Sequence, residues 1–265
     1  MMPGAWRYVA ASVAGTSHEK LGGICQDAND CQVCLLPNGE MVFVAAVADG
    51  AGSTLRGGDG AAKACGVFLS LVNNHLSSGN NVEQISLETA RFWIHVIQDS
   101  LRKEAESVAL DPREFACTLL GFVAGQSWTV CLQIGDGAIV VADSEERTYG
   151  HVFWPDRGEF ANATHFVTED QAVEHLHFAA VRRQIVEAAL LTDGLQSIAL
   201  NYQQQAAHEP FFRGLFLPLR AVEEGRNDGL SQSLREFLSS HRVNEKTDDD
   251  KTLVLASRLN GSLGA

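Results

Sequence analysis

The chain reads as an α+β protein in which two antiparallel β-sheets carry helices on their outer sides. Two observations predict this class. Strand-like and helix-like segments come in runs (strands, two helices, strands, shorter helices, a closing strand) rather than in strict alternation, which separates α+β from α/β architecture. Successive strand-like segments are also joined by short glycine-containing turns, as in an antiparallel meander. With 265 residues, 45% of them hydrophobic, a substantial core can be buried, and we read residues 1–265 as one domain.

Residues 6–14 alternate as an edge strand does. Residues 30–36 and 41–48 form a hairpin around Pro37-Asn38-Gly39-Glu40, a sequence with turn chemistry and a glycine that tolerates positive φ. The second of these strands is apolar on both faces, as expected of a central strand between two layers, and it runs straight into Asp49. Ala61, Ala64, Cys65, Phe68, Leu69, Val72 and Leu76 recur at helical spacing and predict a helix over residues 59–76. A second helix over 82–109 carries Ile85, Ala90, Trp93, Ile94, Ile97, Leu101 and Ala105, after a break at residues 77–80. Together they make one covering layer. Residues 116–124, 128–134 and 138–142 then read as a meander that pairs against the first hairpin or stacks on it. Residues 143–174 are irregular, with one strand at 165–168, and suit a lid over a nearby site. Residues 175–181 and 185–192 read as a hairpin ending in Asp193; helices at 194–201, 211–222 and 230–240 and a strand at 252–257 complete the order.

A net charge of −13 repels polyphosphate, and no lysine- or arginine-rich run offsets it, which argues against a nucleic-acid partner. No apolar stretch approaches the roughly 20 residues that span a bilayer, and the first residues lack the pattern of a signal peptide; a cytoplasmic protein with no membrane partner is expected. The six cysteines (Cys25, Cys31, Cys34, Cys65, Cys117 and Cys131) lie mostly in apolar segments and suit reduced thiols in the core. Cys31 and Cys34 form a C-x-x-C, but within a strand and without a second pair, so packing is the better reading. The nine histidines show neither H-x-x-x-H nor H-E-x-x-H spacing and are read as structural or solvated.

The most informative feature is a set of acidic turns. Asp49-Gly50, Gly135-Asp136-Gly137 and Asp193-Gly194 each end an apolar, β-rich run, so a strand presents a carboxylate at its tip and the chain turns sharply away. Thr247-Asp248-Asp249-Asp250-Lys251-Thr252 places acids just before the last strand. If these tips converge, they form a cage of hard oxygen donors suited to Mg²⁺ or Mn²⁺ rather than to zinc. Such carboxylates, pressed together without a cation, repel one another and have raised pKa values. The chain has neither a G-x-S-x-G elbow nor a cysteine-arginine phosphate loop.

Gln26-Asp27, Asp49-Gly50-Ala51-Gly52-Ser53, Gly135-Asp136-Gly137, Thr192-Asp193-Gly194 and Asp249-Asp250-Lys251-Thr252, in this order across nearly the whole chain, resemble the type 2C metal-dependent protein phosphatases, specifically their short bacterial branch. Residues 158–162 also look like that branch. The resemblance implies a four-layer αββα sandwich with a metal pair, Mn²⁺ or Mg²⁺, at one end, and hydrolysis of phosphoserine and phosphothreonine on proteins by water held between the two ions. It implies Asp49 as the bridging ligand, the Gly50 carbonyl on one ion, Asp193 and Asp249 on the other, and Asp27 acting through water. Asp136 with Asp193 would correspond to a third, weaker site. Asp248 competes with Asp249 at the C-terminal turn, since a one-residue shift leaves the pattern intact.

One departure matters. The family usually has an arginine for the substrate phosphate five residues before the position of Asp27; here that residue is Gly22, with Lys20, His18 and Arg56 as substitutes and Lys20 preferred. Ala51 stands where many eukaryotic relatives carry a histidine. The implied partner is a phosphorylated protein, the product of a Ser/Thr kinase, and a monomer is expected. Two other readings stand beside this one: a catalytically silent module of the same fold that binds a phosphorylated partner, and a phosphatase for small metabolites.

Overall fold

The computed structural model describes residues 4–20, 22–143, 148–155 and 164–259. In chain order the elements are β1 (Trp6–Val13), α1 (Thr16–Lys20), β2 (Ala28–Leu35), β3 (Met41–Ala48), α2 (Gly57–Ser77), α3 (Leu87–Ser107), β4 (Leu119–Ala124), β5 (Thr129–Ile134), β6 (Ala138–Asp143) and β7 (Gly150–His151). They continue with β8 (His177–Val181), β9 (Ile185–Leu191), α4 (Gln196–Ala199), β10 (Leu200–Asn201), β11 (Ala206–Ala207), α5 (Glu209–Leu219), β12 (Gly225–Arg226), α6 (Asp228–Leu238), α7 (His241–Asn244) and β13 (Lys251–Arg258). A five-stranded sheet has the order β2-β3-β4-β5-β8 and a six-stranded sheet the order β12-β1-β13-β9-β6-β7. All pairs in them are antiparallel except β1 with β12.

Strand periodicity explains the layers. Along β3, Val42, Val44 and Ala46 face α2 and α3, whereas Phe43, Ala45 and Val47 face the other sheet. Along β13, Val254 and Ala256 meet that same inter-sheet core, while Leu253 and Leu255 face the α5–α6 side with Phe212, Phe216, Leu234 and Leu238. Both sheets are therefore covered on both faces, and the order across the molecule is helices, sheet, sheet, helices. The α2 residues predicted to be apolar are all buried. The second predicted helix is divided: Val82–Gln84 is a 3-10 turn, Ile85 is extended, and the Ser86 side chain accepts from the Thr89 N–H to start α3 afresh.

Four expectations need correction. β6 does not continue the meander of β4 and β5; it crosses at Gly135-Asp136-Gly137 into the other sheet and pairs with β9. β8 and β9 are not a hairpin either, since β8 pairs with β5 and β9 with β6 and β13. Periodicity reports which faces are buried but not which partner a strand takes, and a short connection serves a crossing between stacked sheets as well as a hairpin. Residues 165–168 form no strand, with 167 and 168 in a turn and the Val167 N–H donating to the Cys117 carbonyl at 2.8 Å. β1 is flanked by β13 and, over Arg7 and Tyr8, by β12, so it is not a free edge.

Residues 158–162 and part of the expected lid lie outside the described residues. Cys31 faces the inter-sheet core and Cys34 packs toward α2, its thiol 3.0 Å from Asn73 Oδ1, so the two sulfurs lie on opposite faces of β2 and cannot share an ion. All six cysteines are free. Among the described residues no helix is long and apolar enough to cross a membrane.

Candidate metal centre

Strand register brings the acids to one end of the sandwich. Ala28 pairs with Ala48, so Asp27 and Asp49 are neighbours just beyond the β2–β3 ladder. Leu253 pairs with Leu191 and Leu191 with Ala138, so Asp193, Asp249 and the Asp136 crossing gather at the matching end of the other sheet. Asp49 is the middle of the group: its carboxylate is within hydrogen-bonding reach of both Asp27 and Asp193 and feels the charge of Asp249. Asp136 acts on Asp193 through its charge.

The backbone around these acids is tightly fixed. Asp49 N–H donates to Thr118 Oγ1 at 2.9 Å, and Thr118 N–H returns a bond to the Asp49 carbonyl at 2.8 Å. Gly50 N–H donates to the Gln26 carbonyl at 3.1 Å, tying the Asp49 turn to the Asp27 segment. Gly194 is a glycine of necessity, because a Cβ there would stand 2.0 Å from the Asp250 carbonyl oxygen. Gly135 has φ +100° and its missing Cβ would meet Thr118 Cγ2 at 2.5 Å, which lets the crossing chain fold over the Asp49 turn.

Asp250 accepts three hydrogen bonds: from Gly15 N–H at 2.6 Å, from Gln26 N–H at 2.5 Å and from His18 Nδ1 at 2.9 Å. It thereby fastens β1, α1 and the Asp27 segment to the turn that bears Asp249. The Asp248 carbonyl accepts from Ser17 N–H and Oγ–H on the α1 side. Of the two alternatives at this turn, Asp249 is the one whose charge reaches Asp49 and Asp193.

Burial is the first cause of the electrostatics. It pushes the Asp27 carboxyl up to about 7, against the opposing effect of the hydrogen bond from Thr192. Asp193 is also raised to about 7, by burial and then by the charges of Asp136 and Asp249. Asp49 is held well above the carboxylate range by burial and by its acidic neighbours. Thr252 N–H donates to Thr192 Oγ1 at 3.0 Å, and Thr192 donates to Asp27 Oδ2 at 2.7 Å, which commits that oxygen. Asp27 Oδ1 and Gln26 Oε1 are buried without any partner. Orphaned oxygens among mutually repelling carboxylates are what a hard divalent cation would satisfy, and the donor set fits Mg²⁺ or Mn²⁺.

The proposed phosphate-binding side chains fare unequally. Arg56 pairs with Asp59 and lies over the Phe115 ring at 5.6 Å, so it is already engaged at the start of α2. His18 is engaged by Asp250, and Lys20 is exposed at the end of α1. Gly22 has φ +70°, a conformation an arginine adopts only under strain. Sequence reasoning missed Thr118, Thr192 as an orienting hydroxyl, and the anchoring role of Asp250. The last two sit inside motifs already singled out, whereas Thr118 carried no signal of its own.

A two-sheet sandwich with helices on both sides and a carboxylate cage at one end is the arrangement that the acidic turns predicted, and comparison with known proteins gives its class. A family model described as Protein phosphatase 2C matches residues 14–239. Serine/threonine-protein phosphatase 3 of Escherichia coli (strain K12) is 39% identical over 256 residues, covering 95% of this chain and 98% of the relative. The chain belongs to the protein phosphatase 2C family. Two solved structures share its fold: a bacterial serine phosphatase (TM-score 0.61, 15% identity, 97% of this chain and 99% of that one) and the catalytic domain of the serine/threonine phosphatase PstP in complex with two manganese ions (TM-score 0.61, 13% identity, again 97% and 99%).

Proposed function

We propose that this protein is a metal-dependent phosphatase that hydrolyses phosphoserine and phosphothreonine on protein substrates. The observation that carries the reading is the meeting of Asp27, Asp49, Asp193 and Asp249 around buried oxygens that lack partners. Asp49, the Gly50 carbonyl, Asp193 and Asp249 would hold two divalent cations, with Asp27 acting through water and Asp136 with Asp193 offering a third, weaker position. When bound, Mn²⁺ or Mg²⁺ supplies the Lewis acidity that makes water nucleophilic near neutral pH and offsets charge on the phosphoryl oxygens.

The chain's own groups do the rest. Thr192 occupies one oxygen of Asp27 and leaves the other free, fixing the orientation of that carboxylate. Asp250 holds the Gln26–Asp27 segment in register with Asp249. No thiol competes as nucleophile: burial raises Cys31 to about 12 and pushes Cys25, Cys34, Cys65, Cys117 and Cys131 higher than an ordinary thiol as well. Lys20, exposed on α1, is our assignment for the substrate phosphate, with Arg56 second to it because of its bond to Asp59. The substrate would be a phosphoprotein made by a Ser/Thr kinase, met by a monomer in the cytoplasm.

Turnover of p-nitrophenyl phosphate with Mn²⁺, lost in Asp193→Ala, tests the chemistry and separates an enzyme from a silent binding module. Faster turnover of phosphopeptides than of small phosphate esters tests the substrate class. Equal activity of the Asp193→Ala variant would overturn the reading.

A further inference from the structure

His165, Glu169 and His175 lie on the turn-rich segment before β8, and their ligand atoms all fall within 4.8 Å of one another. His165 Nδ1 is 3.0 Å from Glu169 Oε2, and the two imidazoles are stacked, with centroids 3.4 Å apart and planes 8° from parallel. All three side chains are half-buried. None was singled out in sequence, because the two histidines are ten positions apart and meet only through the fold.

The scaffold beneath them is fixed from outside the segment. Gln98, buried on α3, donates through Nε2 to the carbonyls of Val167 at 3.0 Å and Glu169 at 2.8 Å. Val167 N–H donates to Cys117, and Phe166 N–H donates to the other carboxylate oxygen of Glu169 at 3.1 Å. The carboxylate is thus oriented by the backbone with Oε2 turned to His165. Two imidazoles and one carboxylate are a donor set of borderline softness, the set that favours Zn²⁺ over Mg²⁺ or Mn²⁺ and leaves a position for water. The acid cage at the end of the sandwich has the opposite preference.

We propose that His165, Glu169 and His175 form a second, separate site for a divalent cation of the Zn²⁺ class. In a tetrahedral site with bonds of about 2.0–2.1 Å, ligand atoms stand roughly 3.3 Å apart. The trio therefore closes by up to roughly 1.5 Å, and the stacked rings splay so that their lone pairs converge, a movement open to half-exposed side chains. The consequence is mechanical. Thr164 donates to Asp136 Oδ2 at 2.7 Å, and the His165 carbonyl abuts Gly135. Zn²⁺ at the trio would staple the segment that holds Asp136, on the margin of the carboxylate cage.

The test uses the full chain in excess Mg²⁺, so that the carboxylate cage is occupied, and adds Co²⁺ as a spectroscopic substitute for Zn²⁺. One Co²⁺ per chain with visible tetrahedral bands and no thiolate charge-transfer band is expected, displaced by Zn²⁺. His175→Ala and Glu169→Gln each weaken its binding at least about tenfold, whereas Asp49→Asn leaves it intact. Melting curves of the variants report whether they fold; Glu169→Gln, which can keep the Phe166 bond, decides should His175→Ala unfold. Absence of Co²⁺ uptake, a purely octahedral spectrum, or equal binding by wild type and Glu169→Gln would overturn the proposal.

Discussion

Gly194→Ala is the most direct probe of how the centre is held. A Cβ at this position would lie 2.0 Å from the Asp250 carbonyl oxygen, where real Cβ contacts are essentially never under 3.0 Å, so one of the two turns must retreat by at least 1 Å. The contact is backbone, which no side-chain rotation relieves, and it lies between the residue after Asp193 and the residue after Asp249. Overpacking of this kind costs about 1–3 kcal/mol, or a fall of roughly 2–12 °C in Tm for a chain of this size. A 1 Å error in the relative position of two ligands lowers turnover by about 10²-fold. Gly66→Ala is the control: nothing lies within 4 Å of its Cβ, and in α2 it should stabilise by roughly 0.5–1 kcal/mol without touching activity. The assay is Mn²⁺-dependent phosphopeptide hydrolysis alongside thermal melts of both variants. Gly194→Ala with turnover and Tm equal to those of Gly66→Ala would refute the claim that this backbone contact sets the ligand geometry.

Four further outcomes are expected. In chelator, Asp27 and Asp193 have folded pKa values of about 7 against about 3.9 unfolded; raised values favour the fold at low pH, so the stability they contribute is full below about pH 4 and is lost as pH rises through 7. Metal-free Tm should thus fall between pH 5 and pH 8, and a rise would contradict the assignment. Mn²⁺ at about 100 times its Kd should add about 2.7 kcal/mol, read as a Tm increase that Asp49→Asn abolishes. Glu187 accepts two bonds from Arg220 at 2.6 and 2.7 Å and one from Tyr149 at 2.6 Å, so Glu187→Gln should cost about 3–5 kcal/mol in urea unfolding while kcat of the residual folded enzyme stays unchanged. Lys20→Ala should raise KM for phosphopeptides roughly tenfold with little change in kcat; an unchanged KM would remove Lys20 from the substrate site.

The layers and the acids were legible in the sequence for different reasons. β3 shows its position through a run apolar on both faces, and α2 through seven residues at helical spacing, because burial leaves a local pattern. Asp49, Asp136 and Asp193 showed themselves by the glycines beside them, which the turns require. Pairing partners left no such trace: β5 and β6 are separated by three residues, and β8 and β9 by three, yet each pair divides between the sheets. At the C-terminal turn the sequence favours Asp249 but leaves Asp248 as a competitor, because the pattern survives a one-residue shift; in the fold the charge acting on Asp49 and Asp193 is that of Asp249, while the Asp248 carbonyl is taken by Ser17. The trio of His165, Glu169 and His175 was invisible because stacking of the two rings exists only after residues 164–176 are pinned to Gln98 and Cys117.

Asp27 and Asp49 hang from one sheet, Asp193 and Asp249 from the other, and Asp136 rides on a strand-to-strand crossing between them. The centre is therefore a seam that records the alignment of two slabs. Lateral slip of the slabs, even where every strand stayed intact, would pull the four carboxylates out of step. Cations gripped across this seam would act as rivets against such slip, so amide exchange in β3 and β9, far along from the tips, should slow when they are supplied.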